Sequence, residues 1–192
     1  MNGSRRLSQA ISEGDGISLI AAVVDARTAR AAEQAGAEGI VVDRPVAGLR
    51  EATTLPVLWR GEVDPAGADV SAVDAARLSG GEDGLEAAHE RLCALGLEPV
   101  IEVTDDEQLE LALERLDPEI FLLSSRTAGE DEDPLDHVLG LLPDVPAGKL
   151  AIAEVPVRDR EDVLALERAG IDGVLVDGAL VSELVGGLPP EV

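Results

Sequence analysis

The sequence predicts an α/β protein, a compact (βα)8 barrel forming a single domain over 1–192. Three observations predict it. First, apolar runs of strand length alternate with helical patterns along the chain, the signature of a parallel sheet with right-handed crossovers. Second, one unit recurs, as GAEGIVVD at 36–43, GADVSAVD at 67–74 and GIDGVLVD at 170–177. Each reads Gly, a small or apolar residue, an acid, a short mostly apolar run and a closing Asp. The Gly suits the left-handed residue that ends a helix, and the run suits a strand buried on both faces. Third, the chain offers eight strand candidates, and eight favour a closed barrel over an open doubly wound sheet. The absence of a Gly-rich phosphate fingerprint after the first strand argues the same way.

Residues 1–17 read as an N-terminal extension. Strands follow at 18–24, 38–43, 56–60, 69–73, 99–103, 119–124, 149–154 and 172–177. Helical patterns fall at 26–35, 84–95, 105–116, 134–141, 159–169 and 179–185. The stretch TDDE at 104–107 has capping-box spacing at the head of its helix. A barrel of this type usually takes roughly 200–250 residues or more, and this chain has 192, so something has been trimmed. The strand 2–3 connection, RPVAGLREATTL, leaves room for a short helix at best, and the strand 3–4 connection, GEVDPAG, for none. An uncovered outer face on strands 3 and 4 would then carry Val57, Trp59 and Val70 or Val73. A bare apolar patch with a Trp on it is a typical interface. The expectation is a homodimer through strands 3 and 4 with Trp59 near its centre, and the rival is that residues 1–17 fold over the gap.

Composition narrows the function classes. The net charge of -24 repels phosphate polyanions, and with only Trp59 and Phe121 as aromatics there is no stacking platform for bases. Nucleic acid is therefore not an expected partner. The single cysteine, Cys93, allows no intrachain disulfide and reads as a small packing residue in a helix, in a reducing compartment. No run approaches the roughly 18 apolar residues of a membrane span, and the N-terminus has no signal-peptide core. The expected location is the cytoplasm.

In such barrels the chemistry sits at the C-terminal ends of the strands. On the strands above, that rim carries Asp25, Asp43, Arg60, Asp74, Glu102, Ser124, Arg126, Glu154 and Asp177. Period two puts Ser124 and Arg126 on one face with Leu122 deeper. Glu102 and Glu154 are candidates for acid and base. The Asp residues read most simply as helix caps, and Asp43, Asp74 and Asp177 are also candidates for a divalent-ion site, since hard cations take several carboxylate oxygens. Arg60 and Arg126 neutralise the acids. His89 and His137 lie on helices, away from the strand ends, which leaves no His-based triad or zinc site there.

Four stretches carry a resemblance: PVLWRGEV at 56–63, LEPVIEVTDDEQLELALE at 97–114, IFLLSSRTA at 120–128 and LAIAEVPVRDREDVLALERAGIDGVLVDGAL at 150–180. Together they resemble the indole-3-glycerol phosphate synthase family, ribulose-phosphate-binding barrels that close an indole ring with loss of CO₂ and water. The likeness implies the barrel fold and runs from about residue 30 to 183. It also implies where the machinery would lie. The family's general-acid lysine on strand three falls at Arg60, and its first-strand Glu and Lys fall in LIAAVVD. Its sixth-strand Asn and Arg correspond to Ser124 and Arg126, and its acids on strands five and seven to Glu102 and Glu154. Its phosphate-binding Ser-Gly after strand seven becomes Val155-Pro156, and its strand-eight Gly becomes Asp177. The Ser-Pro-Ser loop after strand one is missing. An arginine cannot release a proton near neutrality, Pro156 offers no N–H, and Asp177 would repel a dianion by on the order of 4 kcal/mol at about 4 Å. The sequence thus reads as a diverged barrel without synthase activity, with a small-molecule or structural role. The alternative is a lyase or isomerase working through Glu102 and Glu154.

Overall fold

The computed structural model describes residues 6–14, 16–61, 72–81, 84–129 and 131–185. Eight parallel strands close into a barrel in chain order. They are β1 (Ser18–Ala22), β2 (Gly39–Val42), β3 (Val57–Trp59), β4 (Ala75–Ser79), β5 (Glu98–Val103), β6 (Ile120–Ser124), β7 (Leu150–Glu154) and β8 (Gly173–Asp177). Closure is made by β1, which pairs with β2 on one side and β8 on the other. Helix α1 (Leu7–Ser12) precedes β1, and α2 (Ala26–Ala35) and α3 (Leu49–Ala52) follow β1 and β2. After β4 come α4 (Leu85–Ala94), α5 (Asp106–Arg115), α6 (Pro134–Leu141), α7 (Arg160–Ala169) and α8 (Val181–Leu184), one behind each strand. The predicted (βα)8 class is the observed one. The strand 2–3 connection holds one helical turn, as its length allows. Most of the strand 3–4 connection, 62–71, lies outside the described residues.

Strand alternation sorts the apolar residues into two layers. Ile20, Val41, Leu58, Ala75, Val100, Leu122, Ile152 and Leu175 fill the barrel interior. Their neighbours along the strands, such as Val42, Val57, Ile101, Phe121 and Val174, face the helices. The helices are placed by short-range chemistry. Asp25, Asp105 and Asp159 cap α2, α5 and α7 through backbone N–H groups at the helix starts. The cap of α5 is thus one residue later than the TDDE spacing puts it. Gly36 and Gly170 end α2 and α7 at φ 102° and 100°, the left-handed conformation the repeat predicts.

Three expectations are corrected. The fourth strand is Ala75–Ser79 rather than 69–73. Of the segment 69–73, residues 69–71 lie outside the described residues, while Ala72 and Val73 precede the strand. An arginine in the middle of AARLS masks that strand, and the alternation in DVSAV before it reads as one instead. Within the N-terminal extension, α1 packs onto the barrel. Leu7 and Ile11 of α1 join the interior cluster, with exposures of 0% and 4%, and form the barrel floor. The buried carboxylate of Glu98 holds the helix there, accepting from the Ser8 N–H at 3.1 Å and from the Ser8 hydroxyl. Finally, the outer face of β3 is not bare. Val57 and Trp59 are 0% and 3% exposed and Val73 8% in the single chain. Cys93, by contrast, is exposed rather than packed. No helix among the described residues is long and apolar enough to cross a membrane.

Candidate functional site at the strand C-termini

The inward positions of the strands change character at the top of the barrel. Below lie Val100, Ile120, Leu122 and Ile152; one pleat higher stand Glu102, Ser124 and Glu154. The cross-strand register sets Glu102 beside Leu122 and Ser124 beside Glu154. Ser124, fully buried, donates its hydroxyl to Glu154 Oε2 at 2.9 Å. Arg60, directly after β3, forms an ion pair with the other oxygen of Glu154. Gly61 makes room for this turn, because a Cβ there would stand 2.5 Å from both the Asp43 carbonyl and the Trp59 ring. Arg126 reaches back to pair with Glu102, and its Nε lies 3.8 Å from Glu154 Oε2. The side chain of Glu102 is 4% exposed, and the paired guanidinium offsets the cost of burying it.

Its second partner is Arg77, which points inward from the middle of β4 and pairs with Glu102 Oε2. Sequence reasoning missed this residue because it placed the fourth strand earlier. A usable signal was present. In SAVDAARLS an acid stands just before the strand, as Asp172 does in GIDGVLVD. Asp74 accepts the Val57 N–H at 2.8 Å, and Asp172 accepts the Ala151 N–H at 2.8 Å. Asp74 therefore matches Asp172 at a strand start, and not Asp43 or Asp177 at a strand end.

The network is a chain of five charges: Arg60, Glu154, Arg126, Glu102 and Arg77. Three guanidiniums meet two carboxylates, and Arg77 Nε is buried with no hydrogen-bond partner among the described residues. The interior at this level is therefore tightly cross-linked, with a donor to spare. Beside it opens a cavity of about 370 Å³. Ala22, Val24, Val41 and Leu175 form its apolar side, and Arg60, Glu154, Asp43 and Asp177 its polar side.

The remaining predicted residues fall away from this cluster. Asp74 sits at the opposite end of the barrel, paired with Arg50. Asp43 and Asp177 are on the rim but exposed, and Asp177 caps the turn before α8 by accepting from the Ala179 N–H at 2.9 Å. Among the described residues no three His, Cys, Asp or Glu side chains group as a metal site, so the set Asp43, Asp74 and Asp177 does not come together. Asp25 serves α2. The N–H of Thr28, and then its hydroxyl, hold its carboxyl below the ordinary value. His137 packs behind the rim, with Nε2 2.8 Å from the Thr104 carbonyl and Nδ1 3.2 Å from Glu132. The Gly129 N–H and then His137 lower the Glu132 pKa.

Comparison with known proteins gives this rim a context. The family model described as indole-3-glycerol phosphate synthase matches residues 78–184, more than half of the chain. The chain belongs to the indole-3-glycerol phosphate synthase family. An indole-3-glycerol phosphate synthase of Bacillus cereus (strain ATCC 10987 / NRS 248) is 30% identical over 143 residues, covering 69% of this chain and 55% of that protein. One from Bacillus thuringiensis (strain Al Hakam) is 29% identical over the same shares. The chain thus spans about half the length of the curated relatives it matches. Among solved structures, the N-acetylmannosamine-6-phosphate 2-epimerase from Clostridium perfringens superposes with a TM-score of 0.63 over 88% of both chains at 16% identity, a likeness of fold. Within the synthase family frame, Glu102, Ser124, Arg126 and Glu154 lie inside the matched segment, and Arg60 lies before it.

Proposed function

We propose that this barrel of the indole-3-glycerol phosphate synthase family does not close the indole ring, and that its strand-end cavity holds a small molecule without that chemistry. One observation carries the reading. Arg60 stands where the resemblance puts the proton-donating lysine, and its guanidinium is bound to Glu154. A guanidinium stays protonated far above neutrality and delivers no proton there. Its pairing with Glu154 also ties up one carboxylate oxygen of that residue. Glu102 is flanked in the same way by Arg77 and Arg126. The cavity volume of about 370 Å³ is within the small-molecule range of roughly 300–1,000 Å³. A lyase or isomerase working through Glu102 and Glu154 has less support, because both carboxylates already face guanidiniums.

The test is turnover of the carboxyphenylamino-deoxyribulose phosphate substrate by purified protein, read from indole fluorescence. The expected outcome is a rate equal to that of buffer. Turnover that disappears in Glu102→Gln would overturn the proposal.

A further inference from the structure

A second cavity, of about 330 Å³, opens on the outer side of the barrel where the strand 2–3 connection has been cut to one turn. Its deep residues are Val42, Leu49, Trp59 and Val73, all less than 9% exposed. These belong to the layer between sheet and helices, and the cavity adjoins the strand-end cavity through Val42. Arg50 closes one side and is fully engaged, with Asp74 and with the carbonyls of Leu55 and Ala72 at 3.0 and 3.1 Å. Arg44 stands exposed at the mouth and makes no hydrogen bond or ion pair among the described residues.

We propose that this cavity binds a small aromatic carboxylate, with the ring against Trp59 and the carboxylate on Arg44. The volume lies at the lower end of the range for ligand cavities, which suits a single ring. Apolar walls and one aromatic side chain favour a planar apolar body, and aromatic pairs gain from offset or edge contact beyond burial. The uncommitted guanidinium matches a carboxylate through two parallel N–H donors. An inorganic anion would leave the apolar depth unused. A cation would have to settle for Glu51, which shares the mouth with Arg44.

Trp59 is the sole tryptophan and lines this cavity, so its emission reads ligand there, and the Arg44 and Val46 variants tie the signal to this cavity. Full-length protein is titrated with sodium benzoate, benzyl alcohol and benzylamine at matched ionic strength, with excitation above the absorption of the ligands. Benzoate should give a saturable change and bind up to about fivefold tighter than benzyl alcohol, the upper end for an exposed charge pair. Benzylamine should bind more weakly than either. Arg44→Gln, an exposed position, should keep the native emission and reduce benzoate to the level of benzyl alcohol. Val46→Phe, which fills the cavity from its wall, should abolish the response. No saturable change with benzoate, tighter binding of benzylamine, or a benzoate response unaltered by both substitutions would each overturn the proposal.

Discussion

Replacing Glu102 with leucine tests whether the charges at the top of the barrel act as one unit. The Glu102 side chain is 4% exposed and bridges Arg77, 16% exposed, and Arg126, 52% exposed. Arg126 can turn to water when its partner is lost, so it contributes little to the penalty. Arg77 cannot, and its Nε already lacks a partner among the described residues. Glu102→Leu therefore leaves a largely buried guanidinium unpaired, at a cost of about 3–5 kcal/mol. For a chain of this size that lowers Tm by roughly 6–20 °C. Arg77→Leu should cost less, about 2–3 kcal/mol, because Arg126 still neutralises Glu102. The double variant exchanges a charged pair for an apolar one and should be more stable than Glu102→Leu alone, with a coupling energy of about 2–3 kcal/mol. Urea unfolding of all four proteins, compared at equal slope, gives these values. A loss below about 1 kcal/mol for Glu102→Leu, or simple additivity of the two single variants, refutes the network.

Three further outcomes are expected. Leu7→Ala empties a fully buried position in the barrel floor and should cost about 2–5 kcal/mol in urea unfolding, which an unpacked N-terminal tail would not do. The lowered carboxyl pKa values of Asp25 and Glu132 add stability that is present above their ordinary values of 3.8 and 4.5 and is lost as pH falls through the lower folded-state values. Asp25→Asn and Glu132→Gln should each flatten the fall of the urea midpoint between about pH 5 and pH 2, and an unchanged slope counts against the hydrogen bonds described. Trp59, 3% exposed in the single chain, should emit to the blue of free tryptophan and resist acrylamide quenching at every protein concentration. Quenching that weakens only as light scattering detects association would instead support the interface on β3.

The sequence alone was enough for the barrel, because its strands are buried on both faces and are therefore mostly apolar. GIVV in β2 and IFLLS in β6 can hardly be read otherwise. Local chemistry likewise marked the ends of α2 and α7, where Gly36 and Gly170 need the left-handed conformation, and the start of α2, where Asp25 supplies a cap. It also brought Glu102, Ser124, Arg126 and Glu154 to one rim, since alternation along neighbouring parallel strands is a local rule. What the sequence left open depends on pairing between distant segments. Arg77 spoils the pattern of β4 because its charge is balanced by Glu102, which is 25 residues away and across the sheet. Asp74 looks like a strand end until the N–H of Val57 shows it to be a strand start. The N-terminal segment looks like a tail because only the closed barrel creates the floor that Leu7 and Ile11 fill. Burial and ion pairing are properties of neighbours in space, and those neighbours exist only once the eight strands have closed.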